Sequence, residues 1–250
     1  MDIMLARILK FLNGYLQNDY MFRIGLFIVS HYVDMENYDL NRFMSEGNFK
    51  KEEVLDFCAH LGYDNYDDFN QKLVSDYLVR AQQIRSRMLG MSAESFLDKL
   101  DDGYDKPALN KQLEIITDNI FQKKRIILIG ALYPLSIAVE FQTDMISFGK
   151  DVVQYHHSID NIEFNKNDII IFISATGRAL NNYLKDEKSA SMKDSQIILI
   201  TQNEAYKDNN DVGAEQVLLV PGQIGGISFN YQIMTMFDII RIYYYQKYYL

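Results

Sequence analysis

Asp168-Ile169-Ile170-Ile171-Phe172-Ile173-Ser174-Ala175-Thr176-Gly177-Arg178 is an unbroken apolar run that ends in two hydroxyls, a glycine and an arginine. A run with no polar alternation leaves no face for solvent, and β-branched isoleucine favours extended backbone. It therefore predicts a strand covered on both sides. The polar end predicts a strand-end loop that opens a helix. Ser174 and Thr176 can be read there in two ways: as caps satisfying the first helical N–H groups, or as ligands to an anion drawn by those same groups and the helix dipole.

Working outward, similar runs recur at Arg125–Gly130, Asp151–Tyr155, Gln196–Thr201 and Gln216–Pro221, the central one extending over Asp168–Ser174. Helical patterns separate most of them, and a helix from Leu109 to Gln122 precedes the first. Strands alternating with helices predict a flavodoxin-like α/β domain over residues 109–250, with a parallel five-stranded sheet and helices on both faces. In such sheets ligands bind at the carboxyl ends of the strands. Gly130-Ala131-Leu132-Tyr133-Pro134-Leu135-Ser136 and Ser174–Arg178 are then the loops that matter.

Upstream the rhythm is different. Ile24, Phe27, Ile28, His31 and Tyr32 follow helical spacing, as do Val54, Phe57, Cys58 and Leu61, and no proline interrupts. Each stripe predicts one buried helix face. Gly47-Asn48 and Gly62-Tyr63-Asp64-Asn65 supply the stops. Phe69, Leu73, Tyr77, Leu78, Ala81 and Ile84 continue a helical stripe toward Leu100, until Asp101-Asp102-Gly103-Tyr104-Asp105-Lys106-Pro107 breaks it. The expected organisation is an all-α helix-turn-helix domain over residues 1–85, a linker helix and solvated acidic loop over 86–108, and the α/β domain. The acidic loop lacks the ligand spacing of a calcium loop.

A length of 250 residues and 48% hydrophobic content suit one large or two small cores. The single cysteine, Cys58, closes no intrachain disulfide and lies on an apolar stripe; with no leader-like start, a cytoplasmic setting is expected. No apolar run approaches the roughly 20 residues of a membrane helix, so no membrane partner is expected. A net charge of −9 opposes nucleic acid on average.

The stretch Ser174-Ala-Thr176-Gly177 after its strand resembles the phosphosugar loop of sugar isomerase (SIS) domains, where a strand ends in Ser-x-Ser-Gly. The glycine Gly130 after the first strand, Gly149 before the second, Thr201 at a strand end and the final Ser228…Gln232…Asp238 helix fit the same order of elements. Asn41–Gly47 followed by Val54…Phe57-Cys58…Leu61-Gly62-Tyr63…Tyr66…Phe69 is similar to the helix-turn-helix of RpiR/MurR-type regulators, which carry an SIS domain behind it. The resemblance covers nearly the whole chain. It implies a transcription regulator whose DNA binding is modulated by a phosphorylated sugar or amino-sugar. Ser174, Ala175, Thr176, Gly177, Gly130 and Ser136 would line the sugar-phosphate site, and a homodimer or homotetramer would present paired helix-turn-helix heads.

Both halves depart from the family pattern. Its recognition helix carries serine, threonine and basic side chains, where this chain has Lys50, Glu53, Asp56, Ala59 and His60. Glu52, Glu53 and Asp56 are expected to face outward, leaving Lys50, Lys51 and His60 as the DNA-contacting candidates. Residues 1–85 hold nine basic against thirteen acidic side chains, so DNA binding is expected to be weak. In the first loop the family's Gly-x-Gly-x-Ser is Gly130-Ala131-Leu132-Tyr133-Pro134, with Ser136 two residues late. The family's usual threonine after the second loop is Ala179. Pro134 is expected at the first helical position.

The alternatives are a dimeric sugar-phosphate sensor or scaffold that no longer binds DNA, and a sugar-phosphate isomerase. His156 and His157 follow the second strand, where an isomerase could keep an acid–base group, but no glutamate or lysine completes a set. No catalytic residue, metal ligand or cofactor is expected. Tyr243 to Leu250 carries rings on nearly every side of a terminal helix, which predicts that some pack against another subunit.

Overall fold

A computed structural model describes residues 3–15, 17–130, 132–155, 162–185, 187–207 and 213–250. The chain forms two compact units. One comprises the chain up to Leu89 with Thr143–Asp151; the other comprises Gly90–Gln142, residues 152–155 and Ile162–Leu250. Ala131, His156 and His157 lie outside the described residues.

The first unit is built from α1 (Met4–Gly14), α2 (Tyr20–Ser30), a 3-10 turn (Tyr32–Asn37), α3 (Leu40–Gly47), α4 (Lys51–His60) and α5 (Tyr66–Met88). Side-chain caps set the starts: Asp19 accepts from Phe22 N–H, Asp39 from Arg42 N–H and Asn65 from Asp68 N–H, each meeting a donor the helix cannot use. Ile24, Ile28, Phe43, Cys58 and Leu73 are fully buried. Around them Phe27 meets Phe43 edge to face at 5.0 Å and Phe49 at 5.6 Å.

The turn between α3 and α4 shows why Gly47-Asn48 reads as a stop. Asn48 adopts a left-handed conformation (φ 53°), and Phe49 N–H reaches back to Met44 O at 2.9 Å. The Phe49 ring then folds over Gly47 so closely that a Cβ there would fall 2.0 Å from Cε2. Only glycine fits.

On α5 the buried stripe departs from the apolar pattern. Leu78 is 59% exposed, whereas Asp76 and Arg80 are buried. Phe69, Leu73, Asp76, Arg80, Ile84 and Met88 keep the helical period, so charged groups occupy core positions and must be paired. Asp76 accepts from Met4 N–H at 2.8 Å and from Lys72, and Arg80 meets Asp144 at 2.5 Å.

The second unit holds α6 (Ala93–Leu97), α7 (Lys106–Gln122), β1 (Arg125–Gly130), α8 (Leu132–Ile137), β2 (Asp151–Gln154), β3 (Asp168–Ile173), α10 (Arg178–Lys185), β4 (Gln196–Thr201), β5 (Gln216–Leu219) and α11 (Ser228–Tyr244), while α9 (Val139–Ser147) begins in it and continues into the Thr143–Asp151 stretch of the first. The sheet order is β2-β1-β3-β4-β5, and β1, β3, β4 and β5 pair in parallel. Every residue of β3 is buried, as a central strand covered on both faces requires. The expected α/β architecture is the one observed. Its base is pinned by Arg125, which binds buried Asp168 with Nε at 3.0 Å and Nη2 at 2.8 Å.

The acidic loop stays largely exposed at Asp101, Asp102, Asp105 and Pro107, with local anchors: Tyr104 buries its hydroxyl, Gly103 abuts Pro221, and Asp105 caps α7 by accepting from Ala108 N–H. That cap starts α7 three residues before the apolar pattern does. Pro134 is the third residue of α8 rather than its first, still within the turn where a missing N–H costs nothing. Part of the terminal segment packs within the chain, while Tyr249 and Leu250 stay exposed. Tyr244 and Tyr245 are buried, Tyr248 stacks on Phe121 at 3.9 Å, and its hydroxyl reaches Asp118 at 2.5 Å.

Candidate functional site

The strand order places a switch point between β1 and β3, because the chain leaves β1 toward β2 on one side and returns to build β3, β4 and β5 on the other. Gly130 and Ile173 are register partners at that point. A Cβ on Gly130 would fall 2.9 Å from Ile173 O and 3.3 Å from Leu135 Cδ1, so glycine allows the two strand ends to close up. Ser174–Gly177 follows directly, at the end of the sheet where ligands bind in open parallel folds.

The loop is held from below by the end of β4. Ser174 N–H donates to Ile200 O at 3.0 Å, the Thr201 hydroxyl and Gln202 N–H both donate to Ala175 O at 3.0 Å, and Asn203 Nδ2 donates to Thr176 O at 3.1 Å. With its carbonyls bound downward, the loop turns its N–H edge the other way. Among the described residues the N–H groups of Ala175 and Thr176 and the Ser174 hydroxyl have no protein partner. Gly177 N–H closes the turn on Ser174 O at 2.9 Å, in the left-handed region (φ 73°).

Thr176 serves the capping reading. Its hydroxyl accepts from Arg178 N–H at 3.4 Å and from Arg178 Nε at 3.3 Å. These bonds are long, and Arg178 is exposed, so its guanidinium stands over the loop and remains available to an anion. Ser174, Ala175, Thr176, Gly177 and Gly130 therefore come together. Ser136 does not join them in the same way: it occupies an exposed position on α8. Thr201, Gln202, Asn203 and the Tyr206 ring beneath Gly177 are supporting residues that a strand-by-strand reading misses, since each acts on a loop more than 20 residues away.

In the helical unit α3 and α4 are joined by three residues, and Val54, Phe57 and Cys58 form the buried face of α4 as expected. Lys50 and Lys51 lie exposed at its start and His60 exposed at its end. Nine residues at 1.5 Å each separate Lys51 from His60 by about 14 Å along the axis. The three cations are thus not one patch. His60 Nδ1 is 3.0 Å from Asp56 O and 3.7 Å from the Asp56 carboxylate.

The acidic face is smaller than expected. Glu53 folds back to accept from Lys50 N–H at 2.9 Å, and Asp56 accepts from the Tyr20 hydroxyl at 2.5 Å, which pushes that phenol up to about 12. Glu52 alone of the three is exposed. No helix among the described residues is long and apolar enough to cross a membrane, and none of their His, Cys, Asp and Glu side chains cluster as a metal site.

In sequence, no family model matches the chain and no curated protein does. In structure it is similar to the NanR protein of Vibrio vulnificus complexed with ManNAc-6P, at 15% identity and a TM-score of 0.45 over 98% of this chain and 92% of that one. A hypothetical protein of Methanococcus jannaschii, inferred to be a 3-hexulose-6-phosphate isomerase, is similar at 16% identity and a TM-score of 0.47 over 68% and 92%. The sugar isomerase domain of an RpiR transcription factor from Sphaerobacter thermophilus is similar at 12% identity and a TM-score of 0.40 over 67% and 90%.

Proposed function

We propose that this chain is a transcription regulator of the RpiR type, whose α/β unit binds a phosphorylated sugar or amino-sugar at Ser174–Gly177 and whose helical unit contacts DNA through α4. The observation that carries the ligand reading is the strand-end loop itself. Its carbonyls are tied to β4, leaving the Ala175 and Thr176 N–H groups, the Ser174 hydroxyl and Arg178 for an anion at a helix N-terminus. Calorimetry with ManNAc-6-phosphate and glucosamine-6-phosphate tests it against Ser174→Ala with Thr176→Ala. The parent binds at least one of the two and the double variant binds none; equal binding by both proteins refutes the site.

For the helical unit, the folding back of Glu53 and the engagement of Asp56 leave Lys50 and Lys51 less opposed than composition suggests. A mobility-shift assay at low salt against the protein's own promoter region tests this. A shift abolished by Lys50→Glu with Lys51→Glu supports the regulator. A second reading, a sugar-phosphate sensor or scaffold without DNA, rests on the exposed Glu52 and on the separation of Lys51 from His60. Ligand binding with no shift at any salt concentration selects it.

A further inference from the structure

A cavity of about 330 Å³ opens at the carboxyl ends of β4 and β5, beneath the start of α7 and away from the β1/β3 switch point. Leu109, Val217, Leu219 and Pro221 give it an apolar wall. Gln202, 4% exposed, also lines it. Its Oε1 accepts from Gly225 N–H at 2.9 Å, which fixes the orientation of the amide. Nε2 is left buried beside Gly222 with no acceptor among the described residues. Tyr104 lines the same cavity and buries a hydroxyl that likewise has no partner. Burial raises its pKa, so it stays a neutral donor. Native folds leave few buried donors unanswered, and two around one cavity point to something that enters it.

The rim narrows the chemistry. Glu204 and Lys207 are both exposed, of opposite charge and three residues apart, and neither forms an ion pair among the described residues. Asp105 is already occupied as the α7 cap. A lone carboxylate would face Glu204 uncompensated, and a lone amine would leave the buried donors unanswered. A sugar would lay hydroxyls on an apolar wall.

We propose that this cavity is a second small-molecule site, separate from Ser174–Gly177, for a zwitterion with an apolar side chain: an aliphatic α-amino acid. Its carboxylate answers the Gln202 amide, the Tyr104 hydroxyl and Lys207, its ammonium answers Glu204, and its side chain meets Leu109 and Leu219. The proposal does not depend on the sugar-phosphate reading, because none of these side chains belongs to that loop.

Calorimetry on the full chain with L-leucine, L-isoleucine and L-valine tests it, with 4-methylpentanoate and isoamylamine as ligands lacking one charge each. At least one amino acid binds at millimolar concentration or below, and the single-charge analogues of L-leucine bind roughly tenfold more weakly or worse. Gln202→Glu keeps the acceptor for Gly225 but removes the donor, and weakens binding by about tenfold. Glu204→Ala and Lys207→Ala are exposed changes that leave the fold intact, and each weakens binding too. Ser174→Ala with Thr176→Ala leaves amino-acid binding unchanged. Absence of binding by all three amino acids, unchanged affinity in both rim variants, or loss in the Ser174/Thr176 variant overturns the proposal.

Discussion

The Tyr206 ring lies so close under Gly177 that a Cβ on the glycine would fall 2.4 Å from its Cε2. Two separate demands therefore meet at one residue: the left-handed backbone (φ 73°) that turns β3 into α10, and the space that seats the loop on the Glu204–Tyr206 turn. Asn181 Nδ2 donates to the same tyrosine's hydroxyl at 2.8 Å, so the ring cannot easily give way. Gly177→Ala is expected to cost about 1–3 kcal/mol of stability and to abolish the proposed sugar-phosphate binding. Adding Tyr206→Leu relieves the clash but not the backbone strain. Thermal denaturation of the single and double variants should show partial recovery; full recovery would mean that backbone strain contributes nothing.

The strand at this loop was legible because Ile169 to Ile173 is apolar throughout, a pattern that only a doubly covered strand explains. The loop's outer edge was legible only as a choice, since hydroxyls and glycine at a strand end serve a helix cap as well as an anion. The underside was not. That Thr201, Gln202 and Asn203 bind the loop's carbonyls follows from β4 lying beside β3, and pairing order is not written in either strand. The intrachain partners of the terminal tyrosines were hidden for a related reason. The tyrosines outnumber one helix face, but α7 offers Asn110, Asp118 and Phe121 to them from over 120 residues away.

Arg80 and Asp144 make the case for a paired core charge that composition hides. Their side chains are 11% and 2% exposed. Asp144→Ala leaves a guanidinium buried beside the Tyr32 hydroxyl, and is expected to cost about 3–5 kcal/mol. Replacing both, as Arg80→Met with Asp144→Leu, should cost far less, because no charge remains to be desolvated. Chemical denaturation of Arg80→Met, Asp144→Leu and the double variant provides the cycle. Additive costs would show that the pair is not coupled.

Acid sensitivity follows from Asp118. Its carboxyl is held below the ordinary value of 3.8, first by the hydrogen bond from Lys247 and then by that from Tyr248. A depressed folded pKa means the contribution is present above the unfolded value and is lost as pH falls through the folded one. The window thus opens just under pH 4. Asp118 is 36% exposed, so solvent screening keeps the effect under about 1 kcal/mol. Asp118→Asn should lower the melting temperature at pH 7 and lower it less as the pH falls below 3.8, relative to the parent. An equal deficit above and below that pH would assign the effect to packing alone.

The last prediction concerns residues 243–250. Tyr243 donates to Asn110, Gln246 Nε2 to Met91 O at 2.9 Å, and Lys247 Nζ meets Asp118 at 2.5 Å. Buried Tyr244 and Tyr245 close the end of α11, and the Tyr248 ring lies parallel to Phe121 at an interplanar angle of 6°. Truncation at Ile242 removes two buried aromatic side chains outright. At the usual cost of deleting a large core side chain, that is about 3–5 kcal/mol for each, less whatever the unit recovers by collapse. Truncation should therefore lower the melting temperature of the chain steeply, and it should do so equally at low and high protein concentration. A terminal segment that served an interface between copies would behave otherwise: its loss would weaken self-association and make the deficit depend on concentration. Melting curves of the truncated and full chains across a hundredfold dilution, read beside light scattering, separate the two. A truncated chain that melts like the parent but dissociates would show that the tyrosines act between subunits after all.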